Sequence, residues 1–170
     1  MKPLEFPDMH FLSAACGWLE LGLAQEAVRE LERMGSASRE HPLVLRVGCQ
    51  VAAQCRQWHR CAEQARALIR IAPKDGYGWV YLGCSLHAMG RTDEAHQLLL
   101  QAVERFEPTP AIALELSCYA SHLGRVEESR EWLAQAFELA SQPSEREQLK
   151  QRALSEPDLA PLRDVIHHLV

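Results

Sequence analysis

One pattern of large and small residues returns every 34 residues along this chain, and that period leaves few architectures open. Residues 76–109 show it best. Trp79, Leu82, Gly83 and Leu86 fall at i, i+3, i+4 and i+7, which is one face of a helix. Gly90 follows, free to take the left-handed conformation that stops a helix. Thr92 is placed to cap the next helix, with Asp93 and Glu94 in its first turn, where the helix dipole favours negative charge. Ala95, Leu99 and Ala102 mark the inner face of that second helix, and Pro108 and Pro110 close the unit. Gly83 and Ala95, both small, lie where the two helices should approach most closely.

Stepping by the same period from Gly90 reaches Arg56 and Gly22 in one direction and Gly124 in the other. Each lies between two helical segments, so the period predicts four units: 8–41, 42–75, 76–109 and 110–143. Residues 1–7 form an irregular lead-in. In the first unit Phe11, Ala14, Ala15 and Trp18 take the places of Trp79, Leu82, Gly83 and Leu86, and Gly35 should end the second helix. In the second, Leu45, Gly48, Cys49 and Ala52 do so, followed by Cys61, Ala65 and Leu68. Its turn departs from the rest, because Arg56 stands where the others have glycine. The fourth unit repeats the pattern with Ala113, Leu116, Ser117 and Ala120, then Ser129, Leu133 and Ala136. After Pro143 the repeat stops. Ser144 and Glu147 read as a capping box, opening a capping helix within 144–170. Pro157 interrupts it, and Leu159, Leu162, Ile166 and Leu169 supply the apolar side of a last short turn or helix.

Trp79, Leu82, Gly83, Ala95 and Ala102 match the pattern of the tetratricopeptide repeat, which the unit resembles over its whole length. The resemblance implies an all-α fold: a right-handed superhelical solenoid of four helix-turn-helix repeats plus a C-terminal capping helix. It implies further that the first helices line a concave groove, reached from a fixed set of positions in each unit. Those positions include Leu12 and Cys16 in the first unit and Arg46 and Gln50 in the second. In the third they include Tyr77, Tyr81, Cys84 and His87, and in the fourth Leu114, Cys118 and His122. Such a face is more apolar and aromatic than a solvated helix surface requires, which marks an interaction surface. Three occupants fit it: a partner segment, the chain's own lead-in or tail, or a second copy. Some members of the family clamp a C-terminal carboxylate with Lys and Asn. Here only Arg46 could meet one, so an apolar or aromatic segment is the expected ligand.

Composition narrows the role by exclusion. A net charge of −5 argues against nucleic acid, which calls for a basic face. No apolar run approaches the roughly 18 residues of a membrane span. The first ten residues carry no apolar core of a secretory signal. The six cysteines are therefore expected as reduced thiols in the cytoplasm. Cys16, Cys84 and Cys118 share one repeat position, but neighbouring helices roughly 10 Å across hold short side chains too far apart for a common metal. Cys49 and Cys61 fall where the repeat calls for small buried residues. No nucleophile, base and orienting group assemble, and no phosphate loop or zinc-protease motif is present. The expectation is thus a non-catalytic protein-interaction module without metal or cofactor. Tyr77, Tyr81, Leu12 and Leu114 would be its apolar contacts and Arg46 and Gln50 its polar fixers. A self-associating homo-oligomer, or a chaperone-like protein shielding apolar clients, is the alternative.

Overall fold

Paired helices recur in register with the sequence period. In this computed structural model, which describes residues 3–168, the first helices of the pairs are α1 (Asp8–Glu20), α3 (Pro42–Gln54), α5 (Gly76–Ala88) and α7 (Pro110–His122). The second helices are α2 (Ala24–Glu32), α4 (Trp58–Ile71), α6 (Thr92–Val103) and α8 (Val126–Leu139). Each set starts at intervals of 34 residues. A capping helix, α9 (Pro143–Ser155), follows, then a 3-10 segment (Pro157–Leu162) and a short α10 (Arg163–His168). There is no strand among the described residues. Leu169, assigned above to the last apolar face, lies outside them.

The turns inside the pairs share one conformation. Gly22, Gly90 and Gly124 have φ of 72°, 76° and 76°, the left-handed region that only glycine enters at no cost. Arg56 occupies the same place with φ of 54°. Nothing stands within 4 Å of a Cβ built on any of the three glycines, so a side chain at this corner meets strain but no clash. That is why the second turn can carry an arginine.

Several expected helix ends are built differently. Thr92 does not cap α6; its Oγ lies 2.9 Å from His87 Nδ1 instead. Gly35 is not the stop of α2, which ends at Glu32, and its N–H is donated to Asp8 Oδ1. Pro110 opens α7 rather than closing the third unit, because the first helical position needs no N–H. Pro143 likewise opens α9, and it displaces the Ser144–Glu147 box; Glu145 accepts from the Ser141 N–H in its stead. Three caps not foreseen sit one residue before first helices. His41, Asp75 and Thr109 each accept a backbone N–H from the first turn.

The chain forms two compact units, Met1–Ser85 and Leu86–Val170. In the first, Leu12, Leu19, Leu31, Met34, Val44 and Val51 gather into one core. In the second, Leu99, Ile112, Leu116, Leu133 and Ile166 are fully buried. Within a pair the helices meet at the predicted small residues. Ser117 Oγ donates to Ser129 O and Ser129 Oγ to Ser117 O, at 2.8 and 2.7 Å. Cys49 and Cys61 stand at the equivalent places in the second pair, and make the same reciprocal contacts with softer sulfur donors. The contact shared with Cys61, then burial, pushes the Cys49 thiol up, so it packs as a small hydrophobe.

Candidate interaction faces

On the first unit the predicted face is partly open. Tyr77 is exposed there, at 52%, and so are Leu43 and Met9, which stand one and two periods before it, at 48% and 59%. Asp75 organises the cluster around Tyr77. Its Oδ1 accepts the Tyr77 N–H at 3.0 Å, and its Oδ2 lies 3.8 Å from Arg46 Nε. The Arg46 guanidinium in turn covers the Tyr77 ring, 3.8 Å from the centroid. Gln50 is exposed, and Cys16, Tyr81 and Cys84 are half-buried. Burial, with Cys84 adding, pushes the Tyr81 hydroxyl up to about 12, so it remains a neutral hydrogen-bonding group. Burial and then Glu20 push the Cys16 thiol up, the reverse of what a reactive thiolate needs. Leu12, expected on this face, belongs to the core instead.

In the second unit the equivalent face of α7 is filled by the chain itself. All nine residues from 112 to 120 are buried. Leu114 and Cys118, expected to line a groove, are 0% and 4% exposed, so neither offers surface to a partner. The 3-10 segment packs on α7 and buries its own Leu159 and Leu162. Polar hooks fix it. Ser121 Oγ donates to the Asp158 carbonyl. One Asp158 oxygen is 2.9 Å from His122 Nδ1, and the other is 3.1 Å from His87 Nε2. Upstream, Arg152 of α9 pairs closely with the buried Glu115 of α7. Burial pushes the Cys118 thiol up, with Glu115 adding to it.

Another buried polar group in this unit has its neighbours close in the fold. His96, 1% exposed, has Nδ1 3.3 Å from Arg125 and Nε2 2.9 Å from Glu128. The Arg125 donor fixes the tautomer that carries its N–H on the side of Glu128. The apolar residues of the C-terminal segment were readable as one side of a helix. The role of Asp158 was not, because its partners lie 36 and 71 residues away in sequence and share no motif with it.

No family model and no curated protein matches the chain. Solved structures do. TTC0263, a thermophilic TPR protein of Thermus thermophilus, superposes with a TM-score of 0.71 at 17% identity, over 95% of this chain and 98% of that one. MamA superposes with a TM-score of 0.67 at 12% identity, over 78% of this chain and 77% of its own. MamA MSR-1 C2 gives 0.63 at 19% identity, over 79% and 77%. The fold is therefore that of a tetratricopeptide-repeat solenoid with a C-terminal cap. No helix among the described residues is long and apolar enough to cross a membrane.

Proposed function

We propose that the chain is a non-catalytic, cytoplasmic protein-interaction module, and that its recognition surface is the open face of the first unit around Tyr77. The observation that carries this reading is the contrast between equivalent faces. On α7 the face is filled by a short apolar segment of the chain itself, Leu159 and Leu162 buried and one carboxylate hooked. On the first unit Met9, Leu43 and Tyr77 remain exposed, and a cation, Arg46, lies over the Tyr77 ring. The occupant that suits it is a segment of the same chemistry from another protein: one or two large aliphatic residues to cover Tyr77 and Leu43, and an acidic residue for Arg46. Tyr and Arg are the side chains that most often dominate binding energy at such surfaces.

Selection from a displayed peptide library against the full chain tests the reading. Leucine-rich peptides with an acidic residue should emerge. Tyr77→Ala and Arg46→Glu should each weaken them about tenfold or more, a loss of about 1.4 kcal/mol. His122→Gln, in the other unit, should not. Peptides that bind both first-unit variants unchanged, or a library that yields none, would overturn the assignment.

A further inference from the structure

His87, His122 and Asp158 come from three separate segments of the second unit, and their ligand-capable atoms all lie within 4.8 Å of one another. We propose that they form a site for a divalent transition metal of the zinc class, with three protein ligands and a fourth position open to solvent. The sequence led to the expectation of no metal, and these three residues share no short motif. The site is independent of the interaction face around Tyr77.

The donor set suits such an ion: two imidazole nitrogens and a carboxylate oxygen, the composition of many open tetrahedral zinc sites. Ligand atoms about 2.0–2.1 Å from a tetrahedral ion lie about 3.3 Å from each other. His122 Nδ1 is 2.9 Å from one Asp158 oxygen and His87 Nε2 is 3.1 Å from the other, and the three ligand atoms, one from each residue, lie within 4.8 Å of one another, so a turn of the carboxylate brings one oxygen toward that spacing from both nitrogens. The imidazoles meet edge to face, with centroids 5.0 Å apart at 90°, so both nitrogens can be directed to one point beside Asp158.

The ligands are also held from behind. The second nitrogen of His87 faces Thr92 Oγ at 2.9 Å, the outer-shell contact that fixes the tautomer of a metal-bound histidine. This explains why Thr92 gives up the capping role its position suggests. Ser121 anchors the Asp158 backbone. Among the described residues, the Asp158 carboxylate contacts the two imidazoles and no Lys or Arg. Its charge thus faces a place where a cation is favoured and no arginine or lysine supplies one. The side chains are 27%, 48% and 23% exposed, so an ion can enter from solvent. A bound ion would fasten the C-terminal segment to the ends of α5 and α7, and protons would compete with it as pH falls.

The test uses the untagged full chain stripped of metal by chelation. Titration with zinc chloride should give one saturable equivalent and raise the Tm. Cobalt(II) should give visible d–d bands without a thiolate charge-transfer band, which separates this site from the cysteines. His122→Gln and Asp158→Asn should each weaken zinc binding about tenfold or more, and Thr92→Val, acting through His87, by about tenfold. Far-ultraviolet dichroism checks that each variant folds, and the half-exposed His122 makes its replacement the mildest. Absence of saturable binding, a thiolate band, or affinity unchanged in both ligand variants would each overturn the site and leave a hydrogen-bonded cluster.

Discussion

α3 and α7 hold equivalent places in their pairs and end in opposite circumstances. Both are 13 residues long, begin with proline and are capped by the preceding side chain. Both place a small side chain, Cys49 or Ser117, where the second helix of the pair comes closest. Yet α3 leaves Leu43 and Gln50 in solvent, whereas α7 is buried over nine consecutive residues. The difference comes from what the chain does afterwards. The C-terminal segment lies on α7, and nothing among the described residues does the same for α3. Among the described residues, seven of the exposed large hydrophobics belong to the first unit (Phe6, Met9, Leu21, Leu23, Leu43, Ile71 and Tyr77), and Val126 alone to the second. A repeat thus supplies a receptive face by its geometry, and a segment outside the repeat decides whether that face is occupied.

The equivalent pair Arg46 and Leu114 gives the sharpest test of that contrast. Leu114→Arg would place a cation at a fully buried position. An unpartnered buried charge costs about 3–5 kcal/mol, enough to unfold the second unit or expel the segment that covers α7. Arg46→Leu asks the opposite question on the open face. It forfeits the stack on Tyr77, about 0.5–1 kcal/mol, and should leave the fold intact. Urea denaturation of the two variants measures both effects. Comparable losses would mean that the two faces are equally buried and that the contrast fails.

Next in size is Leu159→Ala. The side chain is fully buried, and truncating such a leucine costs about 2–5 kcal/mol, depending on how far the site collapses. Amide hydrogen exchange should then accelerate along α7, while α3 keeps its rate. If α7 stays as protected as before, the segment is an ornament on a helix already stable without it.

The sequence disclosed the repeat and little of this asymmetry, for a physical reason. Burial of small residues where two helices meet is a local demand, repeated in every pair. It fixes Ala15 and Ala27, Cys49 and Cys61, Gly83 and Ala95, Ser117 and Ser129 at one period. The helix starts follow from it. Exposure of the partner face is not local. Leu114 and Arg46 hold one repeat position, and Leu114 is fully buried on the helix that the C-terminal segment packs against, whereas Arg46 is half-exposed. The failed caps have nearer causes. Thr92 has a competing partner in His87, five residues back, and Ser144 lost its place to the adjacent Pro143, which takes the first helical position.

Arg56→Gly probes a smaller difference between the units. The turns of the second unit, at Gly90 and Gly124, are free of strain, while the first unit holds Arg56 at positive φ. A left-handed non-glycine residue costs about 1–2 kcal/mol, and the extra freedom of glycine in the unfolded chain returns about half of that. The variant should therefore gain about 0.5–1 kcal/mol in urea denaturation. Gly124→Arg should lose a similar amount. An unchanged Arg56→Gly would mean that the arginine side chain makes compensating contacts.

The smallest effect concerns the hinge between α9 and the segment that covers α7. Burial, and then the neighbouring Glu115, raise the Glu156 carboxyl above its ordinary 4.5, while Arg152, 3.9 Å away, pulls the other way. A raised folded-state pKa means that the native state holds this proton more tightly than the unfolded chain does. The protonated form contributes stability below pH 4.5, and that contribution is lost as pH rises through the folded value. At neutral pH the charged Glu156 is therefore a mild liability. Glu156→Gln should raise the Tm at pH 7 slightly, because the residue is partly exposed and the ion pair with Arg152 offsets part of the gain. The advantage should shrink as the pH is lowered toward the ordinary glutamate range, where the native carboxyl is already neutral. A benefit that grows on acidification would show that Glu156 is held charged by Arg152, and that the segment is latched to α9 by that pair as firmly as to α7 by Asp158.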